Sequence, residues 1–123
     1  MNAFVGFFSF LVLDAIYLNL TKSYFNRQVK AIQGDEINMR FIAAVCVYIL
    51  IGLAWYVFIY KEIRKDNMKE MLLKAFLLGF TTYGIFDLTN HAIFDNWNLK
   101  TVILDTFWGG LLYFIVTLLQ YKL

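Results

Sequence analysis

Three aspartates, Asp14, Asp87 and Asp105, interrupt stretches that are otherwise almost wholly apolar. A carboxylate at the centre of a membrane helix costs roughly 2.5–3.5 kcal/mol, so three facing lipid would cost on the order of 8–10 kcal/mol. They are therefore expected to face a bundle interior or a wet cavity, where carboxyl groups bind a proton, a cation or a small polar ligand. Helical spacing gives each acid its neighbours. Tyr83, Asp87, Asn90, His91 and Phe94 share one face, Thr101, Asp105, Trp108, Gly109 and Leu112 a second, and Phe7, Phe10, Asp14, Tyr17 and Leu18 a third. The candidate ligand- or proton-binding set is accordingly Asp14, Tyr17, Tyr83, Asp87, Asn90, His91, Asp105 and Trp108.

The competing reading makes each acid a hydrogen-bonded group that fixes helix register, accepting from Tyr17, Asn90 or the Trp108 indole. His91 stands four residues from both Asp87 and Asp95 and could pair with either, but a single His is a poor haem or metal site, and no metal is named. Other chemistries lack their parts. Retinal attachment needs a Lys deep in a helix, and Lys74 sits at a boundary; there is no Gly-rich phosphate loop, no H-E-x-x-H and no Ser-His-Asp set. Asp87 and Asp105 could be drawn as an intramembrane aspartyl pair. Four short spans leave little room for a gated substrate, so no catalytic residue is assigned, no cofactor is expected and the chain reads as a non-enzyme. Cys46 reads as a small buried apolar residue.

The elements that position these residues follow from composition. Of 123 residues 61% are apolar and 16% charged, an unsuitable balance for a water-soluble monomer. One Cys excludes a disulfide scaffold, and a net charge of +2 gives no reason to expect nucleic acid as a partner. A membrane helix needs about 20 largely apolar residues, and stretches at about 3–20, 41–60, 75–94 and 101–121 qualify. Uninterrupted runs of this length indicate helices rather than a barrel, whose strands alternate. The first lacks the basic start and cleavage site of a signal peptide and is read as retained. The expected fold is all-α, one integral membrane domain over residues 1–123 arranged as an up-down-up-down four-helix bundle.

Between the first two spans, Phe25, Val29 and Ile32 make an apolar stripe that predicts a short interfacial helix over about 22–33, ended by Gly34. Asn38 is the expected N-cap of the second span. An even number of spans places both termini and the middle loop on one side, the terminal face, which carries six basic residues against five on the opposite loop face. That margin favours cytoplasmic termini. Trp55, Tyr56 and Tyr60 read as interfacial belt residues, whereas Trp97 stands apart from that reading. Counting the helical rise places Asp14 about 9 Å, Asp87 about 10 Å and Asp105 about 6 Å beneath the loop face. All three acids thus belong to one leaflet and predict a pocket opening on one side. In the other leaflet only Ser9, Thr81 and Thr82 count as polar at depth, so no continuous polar route is expected through one chain. Small residues such as Ala75, Gly79, Gly109 and Gly110 mark close helix approaches or a homo-oligomer contact.

Leu13-Asp14 with Tyr17, Phe86-Asp87-Leu88-Thr89-Asn90, Trp97 and Leu104-Asp105-Thr106-Phe107-Trp108-Gly109, in that order, resemble a family of small predicted membrane proteins of bacteria and some large DNA viruses, known only as a domain of unknown function. The resemblance runs along nearly the whole chain. It implies a four-helix membrane protein with these acids as its signature, and no activity. Tyr17 stands where the family usually has Trp, and Phe86 where it usually has Tyr. Two functions are expected from all this: a membrane-embedded binding or transport protein, or a structural membrane component whose acids fix packing. In both, the partner is the lipid bilayer.

Overall fold

A computed structural model describes residues 1–123 and contains four long helices, α1 (Ala3–Gln33), α2 (Phe41–Phe58), α3 (Met68–Ile93) and α4 (Leu99–Lys122), with a 3-10 turn at Tyr60–Glu62. All four are long and apolar enough to cross a membrane. Consecutive helices run antiparallel, as a four-helix membrane bundle requires. α3 and α4 form a tightly packed hairpin, α1 lies along α4, and α2 leans on α1.

The outward surface has the character of a lipid-facing one. Phe4, Phe41, Ile42, Ile85 and Phe107 are all more than half exposed, a pattern that water would penalise and hydrocarbon does not. Inside, Phe10, Trp55, Met71, Ala75, Leu112 and Tyr113 build the core. Phe10 meets Trp55 and Tyr113 edge-on, with ring centroids 5.5 and 5.0 Å apart, the favoured geometry for aromatic pairs.

Three boundaries differ from expectation. Residues 22–33 do not form a separate interfacial helix; they continue α1, which runs for 31 residues. No Gly or Pro intervenes between Leu20 and Gln33, so nothing ends the helix before Gly34. There φ reaches 78° and the Gly34 N–H bonds the Lys30 carbonyl, closing the helix as only a residue tolerant of the left-handed region does readily. At about 46 Å, α1 exceeds the ~30 Å hydrocarbon thickness and projects beyond it. Asn38 does not cap α2, whose N-cap position is Arg40, without a side-chain cap bond. α3 begins at Met68, well before Ala75.

Two side chains also change place. Trp55 is fully buried, not a belt residue, and donates to Thr117 Oγ1 at 3.0 Å. Cys46 is exposed on the outer face of α2. The hairpin owes its closeness to Gly79 and Gly109: a Cβ on Gly79 would run into the Gly109 carbonyl, and one on Gly109 into the Tyr83 ring. Small residues at such a crossing let backbones meet in lipid, where packing replaces the hydrophobic effect as the force between helices.

Candidate functional site

α1 brings Asp14 to the centre of the bundle, where it is 6% exposed. Each other helix supplies it with a donor. The Tyr48 hydroxyl of α2 donates to Oδ2 at 2.5 Å, and the Trp108 indole N–H of α4 donates to Oδ1 at 3.0 Å. The Tyr83 hydroxyl of α3 reaches the same Oδ1 at 3.5 Å, a longer contact. Asp14 is therefore a junction at which all four helices meet.

One turn nearer the loop face, the α3–α4 hairpin aligns a second acidic group. Asp87 is fully buried and Asp105 is 6% exposed, and their carboxyl groups meet at hydrogen-bonding range across the interface. The Tyr17 hydroxyl donates to Asp105 Oδ1 in a short contact, and the Trp97 indole N–H donates to Asp87 Oδ1 at 3.2 Å. Asp87 Oδ2 receives no donor. The two acidic layers are joined by aromatic stacking: the rings of Tyr17, bonded to Asp105, and Trp108, bonded to Asp14, lie 4.6 Å apart and 9° from parallel.

The loop-face end is covered by protein. The α1 projection and the α3–α4 loop hold each other: the Asn98 N–H donates to Gln28 Oε1 at 3.0 Å, Asn96 Nδ2 to the Ala31 carbonyl at 3.2 Å, and the Tyr24 hydroxyl to Asn98 Oδ1 at 2.8 Å. Asn98 also caps α4 by accepting from the Thr101 N–H. Trp97, only 8% exposed, lies beneath this cover against Phe25 and Phe86.

Of the eight residues selected by spacing, six converge: Asp14, Tyr17, Tyr83, Asp87, Asp105 and Trp108. His91 does not pair with Asp87 or Asp95; its Nδ1 meets the Trp97 carbonyl at 2.5 Å, so it holds the loop that carries Trp97. Asn90 makes no side-chain hydrogen bond here, and its carbonyl accepts from Phe94 at the end of α3. Two partners lie outside that set: Trp97, which donates to Asp87, and Tyr48, which spacing missed. The signal was present, because a phenol midway along a membrane helix needs a buried acceptor, yet α2 contains no acid to direct attention to it. No cluster of three or more His, Cys, Asp or Glu is arranged to hold a metal.

The far leaflet also differs from expectation. Ser9, half-buried, and Thr82, exposed, bond the Val5 and Leu78 carbonyls of their own helices, and Thr81 is exposed as well. The buried polar groups there belong to α4 instead: Tyr113 and Thr117 are fully buried and Gln120 is 1% exposed. Thr117 Oγ1 donates to the Tyr113 carbonyl at 2.7 Å, and Gln120 Oε1 accepts from the Asn2 N–H at 2.8 Å.

Residues 2–122 match the model of a family described as "Predicted membrane protein (DUF2177)". Neither a curated protein nor a solved structure matches the chain.

Proposed function

The chain belongs to the DUF2177 family of predicted membrane proteins, and we propose that it binds a proton within the membrane, shared between the carboxyl groups of Asp87 and Asp105. The single observation that carries this reading is Asp87 Oδ2: fully buried, without a donor, on a carboxyl group that faces a second one. Two carboxylates at that separation repel each other, and a shared proton removes the repulsion and supplies the missing hydrogen bond.

A proton suits the surroundings better than a metal cation or a polar ligand. Tyr17 and Trp97 turn the positive ends of O–H and N–H bonds toward the pair. Such donors stabilise a carboxylate but oppose a second cation, which would demand several oxygen ligands in their place. The cavity of about 950 Å³ between α1 and α2 is lined by hydrophobic residues at all but one of its 14 positions, so it supplies no polar ligand site.

The structural reading has its own support at one position. Asp14 accepts from three helices, which makes it a packing group.

Infrared difference spectroscopy of the reconstituted protein during a pH titration tests the proposal. A protonated-carboxyl band is expected to titrate in the wild type and in D14N, and to vanish in D87N and in D105N. A band unchanged by both D87N and D105N would sink it.

A further inference from the structure

α2 meets α1 closely at two levels, where the Phe7 ring rests on Gly52 and the Tyr48 hydroxyl bonds Asp14; beside these contacts the two helices leave the apolar cavity of about 950 Å³. Phe4 and Leu11 line it from α1, and Phe41, Ala44 and Val45 from α2. From Phe41 to Tyr56 it runs along about 22 Å of α2, most of the ~30 Å hydrocarbon thickness. Of its two hydroxyls, Tyr48 gives its proton to Asp14, and Tyr56 lies at the terminal-face end. An apolar space of this kind stays dry, and at this depth hydrocarbon chains are what surrounds it. Its volume is in the upper part of the ~300–1,000 Å³ range that holds small ligands.

The loop-face end of the cavity is marked by charge. Arg40 stands between two lining residues, Met39 and Phe41. Lys22 lies on the α1 face that carries Phe4 and Leu11, because separations of 18 and 11 residues are close to whole numbers of helical turns. The two cations are also level with each other. Tyr48 and Asp14 are in contact on antiparallel helices; Arg40 precedes Tyr48 by eight residues and Lys22 follows Asp14 by eight, so both stand about 12 Å toward the loop face. Asp14 itself lies about 9 Å beneath that face, which brings the two basic side chains into the headgroup layer. Both are exposed, and neither has a carboxylate partner: the ion pairs of the chain are Arg64–Asp66 and Lys74–Glu70. Asp35 and Glu36, in the same loop as Arg40, pair with neither cation.

We propose that this cavity is a binding site for an anionic phospholipid, whose phosphate is held by Lys22 and Arg40 while an acyl chain runs between α1 and α2 past Tyr48. The proposal does not rest on the proton-binding pair. A neutral lipid would fill the apolar space but leave both cations without a partner. A second copy docked here in the same orientation would bring its own Lys22 and Arg40 to that level and set like charges together. An anionic headgroup is drawn by each basic residue near the membrane surface. The seated chain touches Tyr48, the donor that ties α2 to Asp14, and so braces that joint.

Native mass spectrometry of the full chain, released from detergent with phosphatidylglycerol or with phosphatidylcholine of identical chains, tests the site. One phosphatidylglycerol per chain is expected, retained at least about tenfold more tightly than phosphatidylcholine, as two surface cations imply. The exposed double substitution K22Q/R40Q should bring the two lipids within about twofold of each other. A44W, which fills the cavity, should weaken the binding of both. A phosphatidylglycerol with a photoreactive group on its acyl chain should label lining residues such as Leu11 and Val45. Equal retention of the two lipids by the wild type, the wild-type preference kept in K22Q/R40Q, or a folded A44W that binds as the wild type does overturns the proposal. So does labelling spread evenly over the outer faces of α3 and α4, the pattern of ordinary boundary lipid, or a dimer that retains no lipid, which gives the cavity to a second copy. Where A44W does not fold, K22Q/R40Q and the labelling decide alone.

Discussion

The layers around Asp14 and around the Asp87–Asp105 pair are one helical turn apart, share a stacked Tyr17–Trp108 bridge and are equally dry, yet they are differently served. Asp14 collects three donors, one from each other helix. The pair collects one donor per carboxyl and leaves an oxygen of Asp87 without any. A saturated carboxylate has no further valence to offer and acts as a joint. An under-served pair keeps a position for a proton. Burial alone therefore does not tell a packing acid from a working one; the count of donors does.

The contrast can be broken or sharpened by substitution. Replacing Gly79 with Leu should have the largest effect, because a side chain there drives α3 off the Gly109 carbonyl and separates both layers from α4. Loss of the folded, monodisperse protein in detergent is the expected outcome, and recovery of well-folded G79L would show the crossing to be less tight than described.

Next comes D14A. It leaves three part-buried donors without their acceptor, and at roughly 1–3 kcal/mol for each orphaned group a loss on the order of 3–5 kcal/mol is expected in an unfolding titration. A cost below about 1 kcal/mol would remove the joint role. D87N sits at the other pole of the comparison: it removes a charge from a crowded pair and adds an N–H toward Asp105, so stability should hold or rise by up to about 1 kcal/mol while the titrating carboxyl band disappears. Strong destabilisation by D87N would make the two layers alike.

Y48F deletes one of the three donors to Asp14 and should cost about 1 kcal/mol, with the carboxyl band of the pair unchanged. The smallest effect belongs to T82A. Its hydroxyl is exposed and bonds its own helix, so a change within about 0.5 kcal/mol is expected by the same unfolding measurement.

The sequence was informative wherever a property is local. Four apolar stretches predict four spans, and intramembrane acids predict an inward-facing polar site; the helices and the burial of Asp14, Asp87 and Asp105 agree. It was misleading where a local rule met a competing one. The stripe at Phe25, Val29 and Ile32 has the pattern of an interfacial helix, but without a helix-breaking residue the chain simply continues α1. Trp55 and Tyr60 sit where belt residues belong, yet the bundle turns Trp55 inward to Thr117. Ser9, Thr81 and Thr82 were the polar residues expected at depth in the far leaflet; the position of α4 at the centre of the bundle buries Thr117 and Gln120 instead.

Insertion into a bilayer sums over consecutive residues, so class, span number and the rule that acids avoid lipid were decided by the sequence alone. Hydrogen-bond satisfaction does not sum in that way. The donors that reach Asp14 come from 34, 69 and 94 residues away along the chain, and no periodicity connects such distances. Only the packing of all four helices around Asp14 could determine that Asp14 is saturated, that Asp87 is not, and that Tyr113, Thr117 and Gln120 of α4 lie buried.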